Sequence, residues 1–377
     1  METTELTQKE SGPTEKWVAL LGRRDFPADG ITDYCGYLGQ NLAPHGIELR
    51  MARVEWVEKG WLRSARHLLR QSKQWRGLWV LPQYTALGWS RRGFPLGIVI
   101  TVAMLRMRGA RCAMVFHEPW GTEGPRLVDR IRCRFQNWTV RTLYRLSEKN
   151  IFTIPLSTIP WLPKDYAKCA SIPLGPNIPE NLTNRSALQN QNGNAKTVVV
   201  FCVSESPHGE REIGEIAAAT RLVKSAGLEI RVIFVGRGTT EAKSAIDRAF
   251  ADSSIEVCNR GLCEAEEVSR IFSESDAMVA VRGKLYLRRG SALAGLACGL
   301  PIVGYSGAAT GTIIEEAGVT LVPFGDKQAL GAALREILTT PAIWKEMHEK
   351  NLRIQEKYLS WKVIAGSYAD FLAGRSA

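Results

Sequence analysis

Leu287 to Tyr305, LRRGSALAGLACGLPIVGY, is the most informative segment of this chain. It combines two arginines, a Gly-Ser pair, a run of small apolar residues and a Gly-Leu-Pro sequence that ends the run. The pattern predicts a helix that begins with Ser291 as its cap and ends at Gly299. Pro301 then opens a short buried strand. A helix followed at once by an apolar strand is typical of a parallel α/β sheet.

The start of this helix has the features of an anion-binding site. Its first backbone N–H groups have no partners within the helix, and the helix dipole places partial positive charge there. Arg288 and Arg289 carry planar forks that match phosphate oxygens, and Gly290 allows the backbone to approach closely. The alternative is that both arginines are solvated loop residues before an ordinary packing helix. The local sequence leaves the two interpretations equally open.

Length and composition indicate two soluble globular domains: the chain has 377 residues, 45% of them hydrophobic and 23% charged. Its eight cysteines include no C-x-x-C pair, so no zinc site is predicted and reduced thiols in the cytosol are the default. The first fifteen residues are polar and acidic, which predicts neither a signal nor a transit peptide. The longest apolar run, Phe94 to Leu105, is shorter than the ~20 residues that cross a bilayer. We expect a buried helix there, or less readily a shallow membrane insertion.

The excess of basic charge lies in the first half of the chain. Residues 1–185 hold 27 Lys and Arg against 16 Asp and Glu, net +11, whereas residues 186–377 hold 22 of each. Nine of the eleven tryptophans also precede residue 185. Basic charge together with tryptophan favours contact with an anionic membrane surface. A pI of about 9.3 also suits nucleic-acid binding, but the chain has no recognised module for it, so no nucleic-acid partner is expected.

Two stretches in this basic half are predicted to form amphipathic helices. At about 100° per residue, 62–79 and 126–145 each place basic side chains along one side and apolar side chains along another. The basic residues are Arg63, Arg66, Arg70 and Lys73 in the first stretch, and Arg126, Arg130, Arg134, Arg141 and Arg145 in the second. Each helix alone is explained as a surface helix with a solvated face. The presence of two such helices in one basic domain favours binding to a membrane surface.

Predicted strands and helices alternate on both sides of a polar segment. The strands are expected at 18–21, 78–81, 112–116, 198–203, 230–235, 277–281 and 302–305. Residues 175–196 are rich in Asn, Pro, Gly and Ser and lack an apolar period. We therefore expect an N-terminal domain at 1–180, a linker at 181–196 and a C-terminal domain at 197–377, whose last helix is free to return to the first domain.

Several segments, taken in order, resemble the glycosyltransferases of family four, which have the GT-B fold of two facing Rossmann-like domains with parallel sheets. The segments are FPADGITDY at 26–34, VFHEPW at 115–120, IPLGPNI at 172–178, VIFVGRGT at 232–239, the helix and strand at 261–281, and LRRGS to GLP at 287–301. The resemblance covers nearly the whole chain. It implies a nucleoside-diphosphate sugar as co-substrate bound by the second domain, and a glycan or lipid-linked acceptor bound by the first. It also implies retention of anomeric configuration without a metal.

The chain departs from this family at a pair of acids. Many members carry two glutamates, separated by seven residues, ahead of the A-C-G-L-P stretch, and Tyr286 and Ala294 stand at those positions here. The R-R-G-S loop resembles that of a subset of the family, which implies a variant enzyme. The missing acids keep open a second hypothesis, a non-catalytic sugar-nucleotide-binding or scaffold subunit of a polysaccharide synthesis complex. The family's lysine near the start of the second domain is absent too, and Arg211 or His208 stands nearby.

The resemblance implies roles for particular residues. His117, after an apolar strand, and Glu118 beside it would act on the transferred sugar as catalytic residues. The residues predicted to bind the donor diphosphate are Arg288, Arg289, Gly290, Ser291 and Arg211. The residues predicted to bind the nucleotide or the rest of the donor are Gly236, Gly238, Glu315 and Glu316. The N-terminal loop would contribute Asp29, Gly30 and Asp33.

Each of these assignments has a plainer alternative. A lone histidine is often structural, a Pro-Ala-Asp-Gly turn needs its glycine without any ligand, and Glu315 and Glu316 fit a solvated helix. Gly236 and Gly238 lack the third glycine and the acid of a dinucleotide fingerprint, which argues against a dehydrogenase. No metal and no resident cofactor is expected. The expected location is cytoplasmic, at the periphery of the membrane, and the oligomeric state stays open.

Overall fold

The computed structural model describes residues 15–25, 29–179, 195–286, 290–307 and 310–375. These residues form two compact units. Unit 1 contains the described residues up to Pro173 together with those from Trp361 onward, and unit 2 runs from Leu174 to Ser360. Nearly all of the predicted linker, 181–196, lies outside the described residues.

Both units are built on parallel strands. Those of unit 1 are β1 (Glu15–Leu21), β2 (Ile47–Arg53), β3 (Trp79–Tyr84), β4 (Arg111–Phe116), β5 (Lys149–Phe152) and β6 (Cys169–Ser171). Those of unit 2 are β7 (Lys196–Phe201), β8 (Ile230–Val235), β9 (Glu256–Gly261), β10 (Ala277–Lys284), β11 (Ile302–Tyr305) and β12 (Val319–Val322). All seven strands predicted from the sequence are present.

Helices connect successive strands. The first five, all in unit 1, are α1 (Gly30–Leu42), α2 (Trp56–Lys59), α3 (Trp61–Gln71), α4 (Leu96–Met107) and α5 (Leu127–Leu146). Unit 2 contains α6 (His208–Ser225), α7 (Lys243–Phe250), α8 (Ala265–Glu274), α9 (Gly290–Ala297), α10 (Thr312–Glu316), α11 (Lys327–Thr339) and α12 (Pro341–Ile354). The last helix, α13 (Trp361–Ala373), belongs to unit 1.

Each sheet has helices packed on it, which explains why its central strands are continuous apolar runs. The strand order is β2-β1-β3-β4-β5-β6 in unit 1 and β12-β11-β10-β7-β8-β9 in unit 2. In β4, Cys112 to Phe116 are fully buried. The order in unit 2 is that of a doubly wound nucleotide-binding fold. This architecture confirms the predicted α/β class with two parallel sheets.

Two sequence-based predictions about helices are wrong. The basic helix expected at 62–79 ends at Gln71, because a 3₁₀ turn follows, Gly77 adopts a φ of 77° and Trp79 enters β3. Its apolar side is not available to lipid, since Leu68 and Trp75 belong to the core of unit 1. The helix expected to start with Ser291 as its cap already includes Gly290, so Ser291 lies in its first turn. None of the helices in the described ranges is long and apolar enough to cross a bilayer.

Candidate functional site

The strand order of unit 2 reverses between β7 and β10, and a pocket lies at their carboxyl ends. Ligand sites in open parallel sheets form at such a reversal, because the loops that follow the two strands diverge there. The walls include Phe201 to Val203, which begin with the last residue of β7, Val281 to Leu285 around the end of β10, and Ser291 of α9. This pocket is the candidate donor site.

The wall after β7 is held in a strained conformation. Cys202 has a φ of 66°, and it is the one non-glycine residue of the described ranges in the left-handed region. Its backbone N–H donates to the carbonyl of Val235 at 2.8 Å, and that of Val203 donates to the carbonyl of Arg237 at 2.9 Å. Such strain concentrates at functional sites, where the surrounding structure holds it in place.

Gly236 and Gly238 support this wall from the end of β8. Both have positive φ angles, 95° and 83°. A Cβ on Gly236 would lie 2.7 Å from the ring of Phe201, and one on Gly238 would lie 2.1 Å from the carbonyl oxygen of Val203. Close packing therefore accounts for both glycines, and their predicted contact with the donor stays a prediction.

The first turn of α9 lies at the pocket because the helix packs closely on the sheet. Residues 292–297 are all buried, and a Cβ on Gly295 would lie 2.7 Å from the Sδ atom of Met278. Small side chains thus allow α9 to lie against β10 and β11, with Gly290 and Ser291 at the carboxyl end of β10. Arg288 and Arg289 lie outside the described residues, so their contact with a diphosphate stays a prediction.

Two glutamates of α6 are buried, and the sequence did not indicate them; one of the two, Glu212, lines the pocket. The Glu212 side chain is 3% exposed, and it accepts a hydrogen bond from the backbone N–H of Ser204 at 2.9 Å. Glu215 is 5% exposed and accepts one from the Tyr305 hydroxyl at 2.9 Å. On an amphipathic helix these acids resemble solvated residues, so only their tertiary contacts identify them.

Arg211 pairs with both of these acids, and its Nη2 atom lies 3.7 Å from Oε1 of Glu212. Its guanidinium donates to both carboxylate oxygens of Glu215, at 3.0 and 3.1 Å, and lies over the ring of Phe324. Burial, reinforced by the hydrogen bond to Glu215, raises the pKa of Tyr305 above its usual range, so this hydroxyl stays protonated as a donor. Because carboxylates already balance the Arg211 charge, any contact of this guanidinium with a diphosphate would be shared with them. That role stays a prediction.

Arg282 is a basic pocket residue that the sequence analysis missed. It is half-buried near the end of β10, and its Nε donates to the Ser204 hydroxyl at 3.5 Å. Burial raises the pKa of the Cys202 thiol, and the Arg282 charge opposes that effect. The available signal was an arginine near the end of an otherwise apolar strand, a position that faces the ligand side of such sheets.

Glu315 and Glu316 lie on α10, the short helix that follows β11. Both side chains are exposed. Neither is among the residues that line the pocket after β7 and β10. Their predicted contact with the nucleotide stays a prediction, and the solvated-helix alternative also stays open.

In unit 1, His117 directly follows β4 and is 7% exposed. Its Nε2 lies 2.9 Å from Oε1 of Gln83, whose amide nitrogen donates to the carbonyl of Leu81. Because Oε1 can only accept, Nε2 carries the hydrogen in this contact. The Tyr34 ring packs edge-on against the imidazole at 5.4 Å. The ring is therefore fixed at the carboxyl edge of the sheet, where ligands bind in α/β folds.

Glu118 is half-buried beside His117, and its Oε2 accepts a hydrogen bond from the backbone N–H of Ala86 at 2.9 Å. The contact joins the loop after β4 to the loop after β3. One carboxylate oxygen therefore has a structural partner, and the predicted catalytic role of Glu118 stays a prediction.

The N-terminal loop residues divide into buried and exposed groups. Asp29 is 9% exposed and caps α1, since its Oδ1 accepts from the backbone N–H of Thr32 at 3.3 Å. Its Oδ2 pairs with the Arg53 guanidinium at 3.0 Å. Gly30 is the first residue of α1, and Asp33 in its first turn is exposed. The cap and the ion pair explain Asp29 without a ligand, and the predicted substrate contacts of the three residues stay predictions.

A known protein family matches part of unit 2. Residues 197–340 match the family model of Glycosyl transferases group 1. This segment contains the pocket, α6 and α9. No curated protein matches the chain.

Several solved structures share the fold over nearly the whole chain. HepE of Anabaena, solved with UDP and glucose, is 13% identical, with 95% of this chain and 99% of that one covered and a TM-score of 0.66. Sucrose-phosphate synthase of Thermosynechococcus elongatus is 16% identical, with 96% and 100% covered and a TM-score of 0.67. A glycosyltransferase of Rickettsia africae is 12% identical, with 96% and 99% covered and a TM-score of 0.66. At these identities the likeness establishes the GT-B fold, and with the family match it supports a glycosyltransferase.

Proposed function

We propose that this chain transfers a sugar from a nucleoside-diphosphate sugar to a glycan or lipid-linked acceptor, in the assembly of a polysaccharide. The observation that carries the proposal is the pocket of unit 2 between the ends of β7 and β10. It lies inside the segment that matches the glycosyltransferase model, and the first turn of α9 forms part of its wall. HepE, which shares the fold, was solved with UDP-glucose. A sugar nucleotide is accordingly the proposed ligand here.

The donor diphosphate would bind at the start of α9. The diphosphate leaving group gains negative charge as its bond to the sugar breaks. Fixed hydrogen-bond donors can stabilise that charge without a metal ion. The backbone N–H groups of Gly290 and Ser291 supply the helix end, and Arg288 and Arg289 supply guanidinium groups. Arg282, which also lines the pocket, would add a third guanidinium. Metal-independent transfer follows from this arrangement as a hypothesis.

Unit 1 would present the acceptor and the His117 imidazole. His117 occupies a fixed orientation at the carboxyl edge of the sheet, and an imidazole there can donate to or accept from a sugar hydroxyl. Retention of the anomeric configuration belongs to the proposal on the resemblance to family four, as does the cytoplasmic location at the membrane periphery. The net charge of +11 on residues 1–185 supports an anionic membrane as a partner.

A non-catalytic sugar-nucleotide-binding subunit is the second candidate. The observation that favours it is the presence of Tyr286 and Ala294 where many family members have glutamates. The two candidates predict the same donor binding and differ in turnover. Slow hydrolysis of bound nucleotide sugar by the purified protein would exclude the non-catalytic subunit, because hydrolysis requires a catalytic site.

The first experiment measures donor binding by calorimetry with a panel of nucleoside diphosphates and their sugars. The Arg288→Ala/Arg289→Ala variant should bind the best ligand ten- to a hundredfold more weakly, since a hydrogen bond to a charged group contributes about 1.5–3 kcal/mol. Arg91→Ala/Arg92→Ala, which removes two exposed arginines of unit 1, is the matched control and should bind normally. Unchanged affinity in the first variant would contradict the assignment of the arginines. Absence of binding by any member of the panel would contradict the proposed function.

A further inference from the structure

Exposed apolar surface is concentrated on unit 1. Among the described residues, fourteen large apolar side chains are exposed, and twelve of them belong to unit 1. Seven lie on two helices: Leu96, Ile100 and Met107 on α4, and Leu127, Val128, Ile131 and Trp138 on α5. We call these seven side chains the α4–α5 apolar face. Single exposed apolar residues are ordinary, but a concentration of them marks an interaction surface.

The members of this face share one side of each helix. At about 100° per residue, the three members on α4 fall within about 40° of one another and the four on α5 fall within about 100°. The core-facing residues of α5, which include Val140 and Leu143, lie on a different side of that helix. The exposed apolar side chains are therefore additional to those that hold each helix on the sheet.

Aromatic contacts make the face continuous across the two helices. Helix α4 packs against α5. The ring of Phe94, just before α4, lies 5.5 Å from that of Phe135 on α5, and Phe135 lies 5.3 Å from the Trp138 ring. The two exposed sides thus meet over a shared aromatic cluster and form one surface.

The charges beside this face are nearly all positive. Residues 126–145 contain six arginines and a single acid, Asp129, whose carboxylate pairs with the Arg132 guanidinium at 2.9 Å. The other five arginines are exposed: Arg126, Arg130, Arg134, Arg141 and Arg145. On the helix they occupy the side next to the apolar members, so an apolar stripe runs beside an arginine stripe. Anionic headgroups above an acyl layer have the complementary arrangement.

One end of this face lies at the edge of unit 1 that carries His117. A helix that follows a strand in a parallel sheet begins at the carboxyl edge of that sheet, so α4 and α5 both begin there. Leu96 opens α4, and Leu127 and Val128 open α5. His117 lies at the same edge, directly after β4.

We propose that the α4–α5 apolar face docks unit 1 onto an anionic lipid bilayer, with the exposed arginines of α5 on the headgroup phosphates. The inference rests on the proposed function, because it identifies the acceptor as lipid-linked and brings His117 close to the membrane surface. It also replaces α3 as the lipid-facing helix, since the apolar side of α3 is buried in unit 1. If a second copy of the chain covered this face, the arginines of the two copies would either face one another or stay in solvent. The arginine stripe therefore favours lipid as the partner.

The test is co-sedimentation of the full chain with vesicles of phosphatidylcholine alone or with added phosphatidylglycerol. We expect binding that requires the anionic lipid and weakens in high salt. Leu127→Glu/Ile131→Glu should lower the vesicle affinity about tenfold or more, because it puts two charges into the apolar stripe. Both positions are exposed, so the thermal midpoint should not change.

Two matched controls make the result specific. Leu262→Glu changes a leucine of unit 2 that is 51% exposed, close to the 52% of Ile131, and Leu62→Glu changes the 80% exposed leucine of α3. Both variants should bind vesicles like the unmodified protein. Equal binding by Leu127→Glu/Ile131→Glu, or loss of binding in Leu62→Glu alone, would overturn the proposal. The proposal would also be overturned if the unmodified protein binds no vesicles but self-associates, and if Leu127→Glu/Ile131→Glu abolishes that self-association.

Calorimetry with nucleoside diphosphates separates this inference from the proposed function. Vesicle binding without nucleotide binding would support the docking surface and contradict the proposed glycosyltransferase function. Nucleotide binding without vesicle binding would support the proposed function and contradict the docking surface.

Discussion

At the scale of single residues, the pocket of unit 2 depends on a glycine at position 238, where a side chain would be costly. Gly238 combines a φ of 83° with a carbonyl oxygen 2.1 Å from the position of a Cβ. Both the backbone conformation and the space exclude a side chain there. The neighbouring strain at Cys202 is held by the same contacts, since the loop after β7 is bonded to the loop after β8.

Gly238→Ala should lower the free energy of unfolding of unit 2 by about 2–4 kcal/mol, through backbone strain together with displacement of the Val203 carbonyl. Gly227→Ala is the matched control, because Gly227 has a φ of 88° but nothing within 4 Å of a Cβ. That variant should lose ~1 kcal/mol, from strain alone. Urea denaturation of both variants checks the difference. Equal losses would mean that the close approach at Val203 carries no cost.

Two buried thiols of unit 1 should make its stability fall at alkaline pH. Burial raises the pKa of Cys35 and of Cys112 to about 12, from an ordinary 9.0. Between those values the unfolded chain releases a thiol proton that the folded chain keeps, so the free energy of unfolding decreases as the pH rises through 9 toward 12.

From pH 8 to pH 10 each thiol should lower the free energy of unfolding by about 1.4 kcal/mol. Cys35→Ala and Cys112→Ala should each remove that part of the decrease, whatever their stability at pH 8. Urea denaturation at the two pH values measures it. A decrease as steep in either variant as in the unmodified protein would show that the thiol ionises equally in both states.

At the scale of elements, α1 is held at its first turn by a cap and an ion pair that share one carboxylate. Asp29 accepts from the backbone of Thr32 and pairs with Arg53, which also donates to the carbonyl of Gly22 at 2.9 Å. The end of β1, the end of β2 and the start of α1 are thereby joined at the carboxyl edge of the sheet.

Asp29→Ala should destabilise unit 1 by about 2 kcal/mol or more, because it removes the cap and leaves Arg53 without its carboxylate. Asp326→Ala removes an exposed cap of α11, which accepts from Ala329 at 2.9 Å, and should cost ~1 kcal/mol. Thermal denaturation compares them. If the losses are the same, the pair with Arg53 adds nothing to the cap.

The strands that the sequence analysis missed are mostly sheet edges. Four of the five, β2, β6, β9 and β12, are outer strands, and β5 has only four residues. An edge strand has one side in solvent, so it carries polar residues that hide the apolar pattern. In β9, EVCNRG, no residue is fully buried. Central strands were predicted correctly because burial on both faces makes them continuous apolar runs.

At the scale of the whole molecule, the excess of basic charge lies in the N-terminal half of the chain. The same half contains α4 and α5 with their exposed apolar side chains. The proposed donor site, by contrast, depends on local groups in unit 2. The described residues contain no cluster of three or more His, Cys, Asp or Glu that could hold a metal. Under the proposed function, guanidinium groups and a helix end meet the charge on a diphosphate.

A bound nucleoside diphosphate should stabilise the protein without a divalent metal. At a hundred times its Kd, the ligand should raise the free energy of unfolding by about 2.7 kcal/mol. Thermal denaturation with and without excess EDTA checks this, and the shift in midpoint should be the same in both. A shift that EDTA abolishes would show that a metal ion takes part in binding.

Apolar periodicity and composition are enough to predict the α/β class, the central strands, the small-residue helix α9 and the division of charge, because these features are local. The burial of Glu212 and Glu215, the inward apolar side of α3 and the pairing of Arg211 with Glu215 become visible only in the folded chain. The same holds for the exposed apolar face of α4 and α5. Those features depend on which elements pack against one another, and that packing joins residues far apart in the chain, whose spacing carries no sign of the contact.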